Sequence, residues 1–124
     1  MAAQIVGIGG KCLDVRGGSS ADGTPVQLWT CHGGPNQNWV IGNGEIRGFG
    51  GKCLDVRGFS TQPGTAVQIW TCHGGGNQAW TVMDGDIRGI RFRCLDATGG
   101  SSANGTPLQI WTCHGGSNQK WLVR

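Results

Sequence analysis

The sequence predicts an all-β protein in which twelve short strands form a closed, three-fold barrel capped by hairpins. Three observations support this: a threefold repeat, Gly-rich and β-branched composition within each repeat, and turn motifs between the strands. The segment VQLWTCHGG at residues 26–34 returns as VQIWTCHGG at 67–75 and as LQIWTCHGG at 108–116. The repeat interval of 41 residues divides the chain into units 4–44, 45–85 and 86–124. Because almost nothing lies outside these units, we expect one domain over residues 1–124.

Each unit contains four predicted strands, which lie around QIVGI, KCLDV, PVQLW and NWVI in the first unit. No unit contains an amphipathic helical stretch of ten residues. The turns GSSADGT and GSSANGT hold Asp-Gly and Asn-Gly pairs, which supply the positive φ of tight hairpins. Three units of four strands favour a three-fold barrel over a propeller, which typically has four or more blades.

Composition excludes several classes of partner. The net charge of +3 comes with no basic run longer than the loose group Arg88, Arg91 and Arg93, so we expect no nucleic-acid partner. The longest apolar runs are too short to cross a membrane, and we expect no membrane span. We also expect a monomer without a cofactor.

The cysteines predict an oxidising compartment. Their even number and regular spacing favour three disulfides, one per repeat, in a secreted, extracellular protein. The six residues are Cys12, Cys31, Cys53, Cys72, Cys94 and Cys113.

Strand alternation separates core residues from a polar face. In PVQLW it places Val26 and Leu28 in the core and Gln27 and Trp29 on the opposite, outward face. In CLDV it places Asp14 on that outward face. A Cys12–Cys31 bridge would join the two outward faces and hold these polar residues together. A carboxylate, an amide and an aromatic ring suit a sugar, which offers hydroxyls to bond and C–H groups to stack.

The CLDV segment, the Q-[LI]-W-T-C segment and the three Q-x-W elements resemble the ricin B-chain-type lectins and the family 13 carbohydrate-binding modules. The resemblance covers essentially the whole chain. It implies a β-trefoil with up to three shallow sugar pockets, galactose-type or xylan-type ligands and multivalent avidity. It also suggests a binding module cut from a secreted glycoside hydrolase. The sugar-binding residues that it implies are Asp14, Gln27, Trp29, His32, Asn36 and Gln37 in the first repeat, Asp55, Gln68, Trp70, His73, Asn77 and Gln78 in the second, and Asp96, Gln109, Trp111, His114, Asn118 and Gln119 in the third.

One assignment within these motifs stays open. Gln37 and its equivalents could contact sugar or bond backbone within the fold, whereas Trp39, Trp80 and Trp121 are expected in the core. No predicted pocket residue is substituted in any repeat, so we expect three competent sites. Loop departures could make them unequal: Phe59 and Pro63 in the second repeat, and Arg91, Phe92 and Arg93 in the third.

Other functions are disfavoured by the sequence. No Cys-x-x-Cys spacing supports a metal site. A glycosidase needs two carboxylates, and only one repeats beside each pocket, so we expect no enzyme. The competing hypothesis is a trefoil that serves as a protein-interaction or targeting module without sugar binding.

Overall fold

The computed structural model describes residues 2–124, which fold into strands joined by turns and short 3-10 helices, with no α-helix among the described residues. Met1, the first residue of the predicted domain, lies outside the described residues. The strands are β1 (Ile5–Val6), β2 (Cys12–Val15), β3 (Val26–Trp29), β4 (Val40–Gly42), β5 (Glu45–Arg47), β6 (Cys53–Val56), β7 (Val67–Trp70), β8 (Thr81–Met83), β9 (Asp86–Arg88), β10 (Cys94–Ala97), β11 (Leu108–Trp111) and β12 (Leu122–Val123). The 3-10 helices are Ile8–Gly10, Arg16–Gly18, Pro35–Gln37, Phe49–Gly51, Arg57–Phe59, Gly76–Gln78, Ile90–Phe92, Thr98–Gly100 and Ser117–Gln119.

The twelve strands form three antiparallel four-stranded sheets, which confirms the predicted all-β class. Their orders are β4-β5-β6-β7, β8-β9-β10-β11 and β12-β1-β2-β3. Each sheet therefore contains the last strand of one predicted repeat and the first three of the next. The backbones of Gln4 and Arg124 exchange hydrogen bonds of 2.7 and 2.9 Å, which join the two ends of the chain. None of the described helices is long and apolar enough to span a membrane.

The third strand of each repeat is hydrogen-bonded to a turn of another repeat, namely the turn that joins that repeat's second and third strands. In each case a backbone N–H of the strand donates to a threonine carbonyl of the turn. The turns therefore hold the repeats together as well as connecting strands. The bonds run from Leu28 to Thr106 at 2.9 Å, from Ile69 to Thr24 at 3.0 Å and from Ile110 to Thr65 at 3.0 Å.

Apolar side chains from alternate strand positions fill one core. The register pairs Leu13 with Leu28 and Val15 with Val26, and all four are fully buried, as alternation predicted. The predicted core tryptophans are also buried. Each donates its indole N–H to the carbonyl of the leucine in a CLD motif, so the ring is packed without an unpaired polar atom. These bonds are Trp39 to Leu13 at 3.1 Å, Trp80 to Leu54 at 2.9 Å and Trp121 to Leu95 at 3.0 Å.

One disulfide closes each repeat, as the sequence predicted. Every bridge joins the first residue of a CLDV-type strand to the cysteine that follows the next strand, 19 residues further on. In the chain-entropy model, a closed loop of this size stabilises a fold by about 3 kcal/mol. The pairs are Cys12–Cys31, Cys53–Cys72 and Cys94–Cys113.

Polar contacts between repeats differ at the junctions. Asp22 accepts a hydrogen bond from the Thr71 N–H at 2.7 Å and from the Lys52 ammonium at 2.9 Å. The Lys52 hydrogen bond is the main cause that lowers the pKa of Asp22. The second repeat has Pro63 at the position of Asp22. At that junction the polar contact between repeats is made by Arg93.

Arg93 stands where the first junction has Lys52, and without a carboxylate at position 63 it donates to other acceptors. Its Nε donates to the Thr61 carbonyl at 3.0 Å and its Nη1 to the Thr112 hydroxyl at 3.1 Å. Two of the sequence departures, Pro63 and Arg93, therefore belong to the same junction.

We predict that Gly48→Ala lowers the free energy of unfolding by about 1–3 kcal/mol through overpacking. An added Cβ would lie 2.5 Å from Cε3 of Trp39, whose ring is fully buried. Gly42→Ala is the matched control, since a Cβ there meets no atom within 4 Å. Chemical denaturation with the disulfides intact measures both changes. Equal stability of the two variants would contradict this packing.

We predict that Asp22→Asn is less stable than the parent at neutral pH and that the difference shrinks on acidification. The lowered pKa of Asp22 gives stability that is present above its usual value of 3.8 and is lost as the pH falls through the lowered value. Denaturant unfolding between about pH 7 and about pH 2.5 measures the difference. Asp84→Asn removes the same charge without breaking an ion pair among the described residues. A difference independent of pH would exclude the Lys52 pair as its source.

Candidate functional site

Each repeat carries a half-open cavity of similar volume on the outward face of its second and third strands. The volumes are about 480, 470 and 480 Å³ for the first, second and third repeats. The structure thus brings five of the six predicted residues of each repeat together. These lining residues are Asp14, Gln27, Trp29, His32 and Asn36 in the first cavity, Asp55, Gln68, Trp70, His73 and Asn77 in the second, and Asp96, Gln109, Trp111, His114 and Asn118 in the third.

The carboxylate of Asp14 forms the floor of the first cavity. Its Oδ1 accepts from Gln27 Nε2 at 3.1 Å, and its Oδ2 accepts from Asn36 Nδ2 at 3.3 Å and from Gln37 Nε2 at 2.9 Å. Asp14 lies on the non-core face, as alternation predicted, but only 2% of it is exposed. Asp14 therefore faces away from the core but does not project into solvent, because the amides surround it at the base of the cavity.

Gln37 lies behind the cavity rather than on its wall. It is fully buried, and its Nε2 also donates to the Thr30 carbonyl at 3.0 Å while its Oε1 accepts from the His32 N–H at 2.9 Å. Every polar atom of its amide is thus used within the fold. The same holds for Gln78 and Gln119, so these three residues position the carboxylate and do not line a cavity.

Trp29 forms an exposed wall of the first cavity. It follows Gln27 by two residues on the same strand, and 40% of it is accessible. Trp70 and Trp111 are exposed to the same degree. An indole so placed offers a flat apolar surface next to hydrogen-bonding groups, which the three buried tryptophans of the core do not.

His32 is held by its own loop beside the floor carboxylate. Its Nδ1 accepts the Gly34 N–H at 3.0 Å, so the proton of the neutral ring resides on Nε2. Nε2 lies 3.7 Å from Asp14 Oδ2, beyond hydrogen-bond distance. The imidazole therefore presents an N–H donor at the cavity wall. His73 and His114 have the same arrangement.

The asparagine of each cavity is oriented through its amino group. Asn36 Nδ2 donates to the Val15 carbonyl at 3.1 Å in addition to Asp14. In the second repeat, Asn77 repeats these bonds, and its buried Oδ1 has no hydrogen-bond partner among the described residues. An acceptor without a partner at a cavity wall is costly unless a ligand or water satisfies it.

One residue type at the cavity rim was not predicted from the sequence. Arg16 lines the first cavity and Arg57 the second, whereas Thr98 holds this position in the third. The arginine Nε donates to the glutamine Oε1 in both cases, for Arg16 to Gln27 at 3.1 Å. Alternation from Asp14 to the residue two positions later is the signal that could have found it.

The second cavity has an additional aromatic wall. Phe59 stands where the first cavity has Gly18 and the third has Gly100, and its ring stacks on His73 with 5.7 Å between centroids. Its φ of +58° lies in the left-handed region that glycine usually occupies. The second cavity therefore differs from the other two in the side chain at this position.

A metal-ligand cluster within the described residues does not form a usable site. Glu45, Cys53 and Cys72 place their ligand atoms within 4.8 Å of one another. Both sulfurs, however, are joined in a disulfide and offer no thiolate. The cluster therefore supports no metal-dependent chemistry.

Comparison with known proteins agrees with this architecture. The model of the ricin-type beta-trefoil lectin domain matches residues 1–121. Among solved structures, the designed three-fold symmetric protein ThreeFoil is 31% identical, with a TM-score of 0.91 over 98% of this chain and 96% of its own. The predicted β-trefoil is thereby confirmed.

Two further proteins extend the comparison to natural molecules. A non-toxic homologue of type II RIPs from Momordica charantia (bitter gourd), solved in complex with α-methyl-D-galactoside, is 28% identical with a TM-score of 0.88 over 99% of this chain and 47% of that chain. Nigrin b of Sambucus nigra is 53% identical over 38 residues, 31% of this chain. That segment spans only 7% of Nigrin b, so the chain matches a small part of the length of this relative.

We predict that Asp14→Ala lowers the free energy of unfolding by about 1–3 kcal/mol, because it leaves the buried Gln37 and Gln27 amides with donors that have lost their acceptor. Glu45→Ala is the control, since Glu45 pairs with the exposed Arg47 and such pairs contribute little. Denaturant unfolding of both variants measures the effect. A loss no larger than that of the control would refute the structural role of the carboxylate.

Proposed function

The chain belongs to the ricin-type β-trefoil lectin family, a non-catalytic carbohydrate-binding fold, and from that premise we propose that each of its three cavities binds one galactose-type sugar. Carbohydrate binding is the property of the family. The number of working sites, the sugar and the residues that contact it are our proposal. The observation that carries it is a half-exposed indole next to a hydrogen-bonded carboxylate, present in all three repeats.

The carboxylate retains capacity to bind a sugar hydroxyl. A carboxylate offers about four lone-pair sites, and the protein uses three of those of Asp14. Oδ1 accepts a single protein hydrogen bond, so it is the atom best suited to accept a hydroxyl proton. Because its own donors hold it rigidly, a ligand meets an acceptor that is already oriented.

The remaining walls provide the other contacts that a pyranose requires. The Trp29 ring offers a stacking surface for C–H groups, and His32 Nε2 offers a donor to a ring hydroxyl. Each cavity thus combines an aromatic face with several hydrogen-bonding side chains. This distribution suits a small polyhydroxylated ligand better than a flat protein partner.

We favour galactose-type sugars because of a similar structure. The Momordica charantia homologue was solved in complex with α-methyl-D-galactoside and is 28% identical to this chain. Nothing in the cavities of this protein favours xylan over a galactoside, and xylan therefore enters the test as a competing ligand. Three disulfides support the extracellular location expected from the cysteine pattern.

Single sites of this open kind bind weakly, with dissociation constants on the order of millimolar. Three sites on one rigid domain can, however, engage several sugars of a glycan-covered surface at the same time. Simultaneous engagement can raise the apparent affinity by about 10² or more where the spacing of the sugars permits it. We therefore expect the domain to distinguish clustered glycans from free sugar.

We predict that titration calorimetry with methyl α-D-galactoside gives a stoichiometry close to three. Trp29→Ala, Trp70→Ala and Trp111→Ala should each remove one site and leave the fold intact, because these rings are half exposed. Phe92→Ala is the matched control: Phe92 is 80% exposed and lines none of the three cavities. Denaturant unfolding checks that each variant is folded.

The alternative outcomes are distinguishable in the same experiment. Binding of xylose or xylan oligosaccharides without galactoside would replace the proposed sugar while keeping the cavities. Binding of galactoside that survives all three tryptophan variants would exclude the cavities. A folded protein that binds no sugar on a glycan array would favour the protein-interaction module.

A further inference from the structure

The rims of the three cavities differ in charge within one chain. The first two cavities have Arg16 and Arg57, and the third has Thr98 at the equivalent position. Each of these residues follows the floor carboxylate by two positions, so all three occupy the same place relative to the ligand space. Comparing the third cavity with the first two therefore isolates the effect of the arginine on ligand binding.

Most of each guanidinium is free to meet a ligand. Arg16 Nε donates to Gln27 Oε1 at 3.1 Å, which fixes the plane of the group at the rim. Arg57 makes the same bond to Gln68 at 3.0 Å. Within residues 2–124 neither arginine forms an ion pair, whereas Arg47 and Arg88 do. The Nη groups of Arg16 and Arg57 are thus donors without an anionic partner.

The charge balance of the cavities follows from this difference. In the first cavity the guanidinium of Arg16 balances the carboxylate of Asp14, and in the second Arg57 balances Asp55. In the third, Asp96 has no cation beside it among the lining residues. An anion would meet a compensated site in the first two cavities and an uncompensated carboxylate in the third.

We propose that the first and second cavities bind galactosides that carry an anionic group, a carboxylate or a sulfate, and that the third accepts only neutral sugars. The proposal rests on the sugar binding proposed above and names its ligand class. The fixed guanidinium presents its Nη groups in the planar geometry that matches carboxylate and sulfate oxygens. Gln109, which has no arginine on its Oε1, keeps that oxygen for a neutral hydroxyl.

Calorimetry with one neutral and three acidic probes tests the proposal. The probes are methyl α-D-galactoside, D-galacturonate, galactose 3-sulfate and galactose 6-sulfate. We expect the neutral sugar to occupy about three sites and at least one acidic probe to occupy two, with an affinity about three- to tenfold higher than that of the neutral sugar. This advantage should decrease as the salt concentration rises, whereas neutral binding should not change.

Exchanging the rim residues between repeats sharpens the test. Arg16→Thr should reduce the number of tight acidic sites from two to one, and Thr98→Arg should raise it to three. Arg47→Thr is the control, because it removes the same charge from β5, outside the cavities. It should leave the number of acidic sites unchanged, which separates a local contact from the effect of net charge.

Several results would overturn the inference. One is the absence of any acidic probe that binds more tightly than galactoside; another is equal tight binding of an acidic probe at all three sites. An equal loss of neutral and acidic binding in Arg16→Thr would show that the arginine acts only by orienting Gln27. Acidic binding at two sites without neutral binding would support the role of the two arginines but contradict the three-site proposal and the neutral third site, whereas the absence of all sugar binding would end both proposals.

Discussion

A buried carboxylate at the centre of each repeat is the constraint on which the rest of the structure depends. Asp14 accepts hydrogen bonds from amides of the neighbouring strand and of the 3-10 helix that follows the disulfide. An ionised carboxylate is costly to bury unless such donors surround it. The chain must therefore bring strand, bridge and loop together at this point, and the cavity is the space that remains above the carboxylate. Folding and ligand recognition share one cluster.

The six tryptophans divide into a set that stabilises the fold and a set that lines the cavities. Trp39, Trp80 and Trp121 are buried, donate to backbone carbonyls and close the barrel, so their replacement affects the fold. Trp29 and its equivalents contribute to the cavity walls and are half exposed. Stability thus depends on one set of indoles, while the other remains free to meet a ligand. The floor aspartates are the residues that serve both purposes.

Much of this arrangement could be predicted from the sequence because the repeat removes ambiguity. Strand alternation fixed the faces of Leu13 and Asp14, and the regular cysteine spacing gave the three bridges. Alternation distinguishes faces but does not report depth, so the burial of Asp14 and the position of Gln37 behind it could not be inferred. Arg16 was not predicted because the strand ends at Val15, and alternation was not extended into the 3-10 helix that follows. Phe59 was visible as a departure, but its stacking on His73 depends on the loop conformation.

The pairing of strands across the repeat boundaries bears on how such a molecule arises. Strand β4 completes the sheet of β5 to β7, β8 completes that of β9 to β11, and β12 closes the circle on β1. A lone 41-residue unit would leave its first strand without that neighbour and its last strand without a sheet. Three separate copies could satisfy one another by donating their last strands around a ring, a closed heterologous assembly. A homotrimeric peptide ancestor, later fused by gene duplication into one chain, would keep the same barrel at every stage.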